Sequence, residues 1–206
     1  MSAARDEILA RVRTAIGAAE PPEPVSRTYR RAGALDRSAR IALLTERLVD
    51  YRARVVHTRE HRVQADVEAA AGGGRIGVPP ELSEAWRPRG AIEDDGFSTH
   101  ELDALDGVLT GCTVAIAETG TLVLSGGASE GRRALTLVPD LHICIVRADQ
   151  IVETVPEAFD ALRGFVQRPL TFVSGPSATS DIELKRVEGV HGPRTLVVLI
   201  VEEEAE

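Results

Sequence analysis

Three short segments hold side chains whose types and spacing suit chemistry. In Ala117–Thr121 (AETGT), Glu118 follows six uncharged residues and precedes Thr119, Gly120 and Thr121. A carboxylate in that setting can stand at a pocket mouth as base or nucleophile. It can equally cap a hairpin in water, and the pattern leaves both roles open. The next loop, Ser125–Arg133 (SGGASEGRR), has glycines that let backbone N–H groups approach an anion, with Arg132 as a source of charge.

The second segment is Ser174–Glu183 (SGPSATSDIE), read as the end of a strand, a Gly/Pro/Ser loop and a helix start. Unpaired N–H groups and the helix dipole suit such a junction to phosphate or carboxylate. Ser174, Gly175, Ser177, Asp181 and Glu183 are the candidates there, although Ser177, Thr179, Ser180 and Asp181 also read as plain N-caps. The Gly-Lys-Ser/Thr ending of a P-loop is missing. The third segment is Gly189–Arg194 (GVHGPR), where His191 and Gly192 precede a strand. A histidine there can titrate near neutrality or fix a carbonyl through its ring. His142 and Cys144 share a strand face at i, i+2, too few ligands for a metal. Cys112 and Cys144 read as reduced neighbours in the core.

The elements that must hold these segments alternate. Ala3–Ile16 carries a helical stripe (Ile8, Leu9, Val12, Ile16), and Pro21, Pro22 and Pro24 then break the chain into a linker. Asp36–Arg52 predicts an amphipathic helix capped by Asp36 or Ser38. Strands are predicted at 54–57, 75–78, 112–117, 121–125, 141–146, 170–174 and 194–201, and helices at 60–71, 151–163 and from Ser177. Strands 112–117 and 121–125 are joined by Glu118-Thr119-Gly120 in a hairpin or sharp connection. The fold class is α/β: a layered, mixed, mostly parallel sheet with helices on both faces, preceded by an N-terminal helical arm. The divisions are an arm and Pro-rich linker over 1–34, a single α/β domain over 35–201 and an acidic tail over 202–206.

Composition narrows the classes. The 206 residues carry a formal charge of −8 and only seven aromatic rings, which lack the positive footprint and stacking platform of a nucleic-acid binder. No uncharged stretch is long enough to span a bilayer. No basic segment followed by an apolar run opens the sequence, so the expected location is cytoplasmic. Two cysteines cannot hold an iron–sulfur cluster or a structural zinc, and no cofactor or metal is expected on this chain. Glu202, Glu203, Glu204 and Glu206 supply half of the net charge, so the body can still build an anion site from backbone N–H groups and hydroxyls.

The order AETGT, SGPSATSDIE, GVHGPR, together with A-x-x-E-I-L-x-R-V-R across Ala4–Arg13, resembles the LUD-domain family, that of lactate-utilization protein C. The likeness covers nearly the whole chain, and the run 174–194 is its most specific part. The resemblance implies a fold similar to the sugar-isomerase/CoA-transferase-like group. It also implies an accessory role in oxidising L-lactate to pyruvate with iron–sulfur partner proteins. By the same resemblance Glu118 and His191 are candidates for catalysis. Thr119, Gly120, Thr121, Ser174, Gly175, Ser177, Asp181, Glu183 and Gly192 are candidates for binding a small carboxylate or phosphorylated ligand. Two other readings are a stand-alone isomerase or CoA-transferase-like enzyme using Glu118, and a regulatory or scaffold module whose arm docks on a partner or a second copy as a homodimer.

Overall fold

A computed structural model describes residues 3–17, 23–176, 178–179, 187–188 and 191–202. The helices are α1 (Ala3–Ile16), α2 (Arg37–Asp50), α3 (Val63–Ala71), α4 (Thr99–Asp103) and α5 (Val155–Ala161). The main sheet contains β1 (Arg54–Arg59), β2 (Ile76–Val78), β3 (Ile92–Glu93), β4 (Gly107–Thr110), β7 (Leu141–Arg147) and β12 (Thr195–Glu202). A second sheet contains β5 (Val114–Ile116), β6 (Thr121–Leu124), β8 (Ile151–Val152) and β9 (Thr171–Val173). A small pair, β10 (Ala178–Thr179) and β11 (Val187–Glu188), is antiparallel.

The main sheet runs in the order β1-β12-β7-β4-β2-β3, and every pairing in it is parallel. Its central strands are apolar on both faces, as a sheet covered on both sides requires. Along β12, Leu196, Val198 and Ile200 turn to one cluster while Val197, Leu199 and Val201 turn to the other. The second cluster holds Val63 and Val67 of α3. The first holds Ile41, Leu44 and Leu48 of α2, with Ala115, Leu122 and Leu124 of the second sheet. The far face of the second sheet, through Val114, Ile116 and Val123, packs on Ala158 of α5 and on Leu162. The layers are therefore α3, the main sheet, α2 with the second sheet, and α5. The α/β class and the helices on both faces agree with the sequence reading.

Several elements differ from expectation. The strand expected at 112–117 is β5, and β4 before it, an unexpected strand, lies in the other sheet, with Gly111, Cys112 and Thr113 between the two. The helix predicted over 151–163 opens only at Val155: Ile151–Val152 pairs in parallel with β5. Thr154 caps α5 through the Glu157 amide, and Pro156 sits in its first turn, where its missing N–H costs nothing. The helix predicted from Ser177 is replaced at Ala178–Thr179 by strand β10. Strand β9 runs antiparallel to β6 in the second sheet, so the loop after it leaves from outside the parallel sheet. Asp36 does cap α2, its Oδ1 accepting from Ala39 N at 2.8 Å. No helix among the described residues is long and apolar enough to cross a membrane.

Candidate functional site

The AETGT segment forms the turn of the β5–β6 hairpin, in which Ile116 pairs with Thr121. Gly120 takes φ +63°, and a Cβ there would lie 2.8 Å from Arg47 Cβ. Gly175 takes φ +79°, and a Cβ there would lie 2.6 Å from Tyr51 Cβ. Arg47 and Tyr51 are four residues apart at the end of α2, so both glycine turns rest on one helical face. That shared support places Ser174 beside Thr121. A chain of hydroxyls results, with Thr119 Oγ1 2.7 Å from Thr121 Oγ1 and Thr121 Oγ1 2.8 Å from Ser174 Oγ.

Glu118 lies apart from that chain. Its Oε1 accepts from Arg30 Nη2 at 2.8 Å, and Arg30 Nη1 donates to Glu153 Oε1 at 3.1 Å. Glu153 is buried and also accepts from Leu35 N, while Glu157 accepts from Gly33 N. The 30–35 segment is thus strapped across three carboxylates, and Glu118 lines neither of the cavities described next.

Ser174, Gly175, His191 and Gly192 line a cavity of about 240 Å³, together with His142 and Arg133. His142 is buried, and its Nε2 lies 2.8 Å from Thr110 Oγ1. The Thr110 hydroxyl also stands 2.9 Å from Gly111 O, so it bridges the histidine ring and that carbonyl. Behind His142 the buried thiols of Cys112 and Cys144 meet as free cysteines. The Cys112 thiol, with His142 adding to it, pulls Cys144 down to about 6 against the effect of burial, and the same contact pushes Cys112 well up. No group of three or more metal-ligating side chains occurs among the described residues.

A larger cavity of about 710 Å³ shares Arg133, Thr136 and Thr171 with the first. The Ser125–Gly127 loop forms part of its wall, and a buried carboxylate, Glu130, organises that loop. Glu130 Oε2 accepts from Ser125 N at 2.6 Å and Gly127 N at 3.0 Å, and Oε1 accepts from Thr113 Oγ1 at 2.5 Å. Arg132 is committed elsewhere: Nε and Nη2 each stand 2.7 Å from an oxygen of buried Asp94. Burial raises the Asp94 carboxyl, but Arg132 and the Phe97 and Gly96 amides outweigh it and hold the group below its ordinary value.

The candidates therefore divide. Ser174, Gly175, His191 and Gly192 share a cavity; Thr119 and Thr121 connect to it through Ser174 only, and Gly120 supports the turn. Ser177, Asp181 and Glu183 lie outside the described residues. Sequence reasoning took Arg132 and not Arg133 as the charge of the Ser125–Arg133 loop, and missed Arg168, the loop-organising role of Glu130 and the cavity position of His142. Only Glu130 carried a local signal, as an acid inside a glycine-rich loop.

A match to the LUD domain spans residues 82–201 and takes in β4 to β9, both cavities' Ser125–Arg133 and Thr171–Pro176 walls, and β12. The chain belongs to the LUD domain family. The chain is 44% identical over 208 aligned residues to lactate utilization protein C of Deinococcus radiodurans, covering 96% of this chain and 95% of that one. Lactate utilization protein C of Geobacillus kaustophilus is 28% identical, covering 65% of each chain. Among solved structures, the crystal structure of a DUF162 family protein from Deinococcus radiodurans superposes with a TM-score of 0.73 at 41% identity, covering 82% of this chain and 99% of that one.

Proposed function

We propose that this chain is an accessory component of a system that oxidises L-lactate to pyruvate, acting with iron–sulfur partner proteins. In this reading it holds a small carboxylate in the 240 Å³ cavity. The relatives named lactate utilization protein C support the system. The observation that carries the ligand is the convergence of Arg133, His142, His191 and Ser174 on one small cavity. Arg133 makes no ion pair among the described residues; its Nη1 donates to Thr136 Oγ1 at 3.2 Å. A guanidinium matches a carboxylate in planar shape and charge. Ser174 and the histidines then suit the hydroxyl or carbonyl oxygen on the adjacent carbon, and the hydroxyl chain to Thr119 fixes the Ser174 rotor.

Oxidising a 2-hydroxy acid to a 2-oxo acid releases two electrons and two protons. Two cysteines provide too few ligands for a cluster, so this reading places the electron acceptors on partner chains. It assigns no step to Glu118, whose carboxylate Arg30 holds outside the cavity lining. The test is calorimetric titration of the purified chain with L-lactate and with pyruvate, alongside growth of a deletion strain on L-lactate. Saturable binding that Arg133→Ala weakens about tenfold or more is expected, with growth impaired. No binding of either acid, together with normal growth and no co-purifying iron–sulfur protein, would overturn the proposal.

A further inference from the structure

We infer that the larger cavity is a second ligand site, built for a phosphate or diphosphate group carried on a bigger organic molecule. Its wall holds two guanidinium groups, Arg133 and Arg168, and neither makes an ion pair among the described residues. Arg132, the neighbour of Arg133 in sequence, is by contrast paired with Asp94. Two cations left facing one cleft repel each other and are stabilised by a dianion between them.

The setting is prepared rather than incidental. Arg168 stands over the Phe165 ring, with its guanidinium carbon 5.9 Å from the centroid, and its backbone N donates to Phe165 O at 2.8 Å. Its Nη1 lies 3.8 Å from the Cβ position of Gly127, so the guanidinium and the Gly127 backbone border the same space. Gly126 takes φ +63°, which an L side chain rarely adopts. Glu130 keeps its charge within the lining, but its oxygens are turned to Thr113 and to the Ser125 and Gly127 amides, and it pairs with neither guanidinium among the described residues. Glu81, the other carboxylate of the lining, is exposed at the rim. Burial also draws the Arg133 guanidinium down from its ordinary value, as expected of a cation without a fixed counter-ion.

Size separates this site from the first. A volume of about 710 Å³ exceeds what one phosphate needs and leaves room for the group that carries it, whereas the adjoining 240 Å³ suits a small acid. Arg133 stands between them, so two ligands could meet across it. The site does not depend on the lactate reading: it stands on the paired cations and the glycine loop.

Inorganic pyrophosphate is the probe, titrated calorimetrically into the full chain at physiological salt, with sulfate as the control for general ionic attraction. Saturable pyrophosphate binding is expected, weakened about tenfold or more by Arg168→Ala. Arg168 is exposed, and unchanged circular dichroism and melting of the variant would show that the fold persists. Ser174→Ala should leave pyrophosphate binding intact while reducing any binding of L-lactate. The proposal is overturned if pyrophosphate fails to bind, if Arg168→Ala binds it equally well, or if sulfate binds as tightly.

Discussion

Glu130→Ala should destabilise the chain by about 3 kcal/mol. The wild-type carboxylate accepts from two backbone amides and two hydroxyls, in a place where Ser125 is 1% exposed. A hydrogen bond to a charged group contributes about 1.5–3 kcal/mol, and a buried donor left without a partner costs a similar amount. The hydroxyls of Thr113 and Ser125 stand 2.7 Å apart and can satisfy each other, so the net loss falls on the amides of Ser125 and Gly127. Gly127 borders the cleft, where water can replace the acceptor, which brings the total to one or two amides' worth. For a chain near 200 residues, about 3 kcal/mol lowers the melting temperature by roughly 6–12 °C. Glu130→Gln keeps an oxygen for the amides and presents its NH₂ to Thr113, so it should recover more than half of that loss. Differential scanning calorimetry at neutral pH measures both. An alanine variant melting within about 1 °C of wild type would refute the claim that this carboxylate organises the loop.

Asp94 gives a pH-dependent counterpart. Its carboxyl is held below the ordinary value in the folded chain, so its stabilising effect is fully present above the unfolded value near 3.9 and is lost as pH falls through the folded value. Asp94→Asn should therefore melt several degrees lower than wild type at pH 7, and the gap should close in acid; a gap independent of pH would count against the Arg132 clamp as its cause. Gly175→Ala forces a Cβ to within 2.6 Å of Tyr51 at φ +79° and should cost about 2 kcal/mol or more, read from urea unfolding. A variant as stable as wild type would show that the turn does not rest on α2.

The sequence reveals what local rules control. Asp36 as a cap, the stripe of Ile41, Leu44 and Leu48, the apolar run of β12 and the Glu118–Gly120 turn are all written in spacing or residue type. Thr154 and Glu157 form a capping box around Pro156, so the true start of α5 was present locally, but the apolar Ile151 and Val152 read equally well as its first turn. That pair is a strand only because β5 lies beside it, and nothing within ten residues signals such a neighbour. The division of 107–117 between two sheets is hidden for the same reason. In the candidate site, small residues with positive φ and paired hydroxyls were legible as a cluster. Arg133 and Arg168 were not, since an arginine in a loop has no pattern until folding decides whether an acid reaches it. Glu118 drew notice through its uncharged surroundings, yet those surroundings are the buried strand behind it, while its own side chain turns out to Arg30.

The place of β12 in the main sheet bears on the order in which the molecule can be assembled. It lies between β1 and β7, although it is made after both. During synthesis, which proceeds at roughly 5–20 residues per second, β1 and β7 emerge with the edges that will face β12 still unpaired. The hydrophobic faces of α2 and α3 have no complete surface to close on until Thr195–Glu202 is available. Parallel pairings across such long sequence separations form slowly, and open edges invite contact with other chains. Every ribosome making this protein therefore carries an unfinished sheet for most of the time it takes to translate it, and protection of those two edges falls to whatever holds the nascent chain.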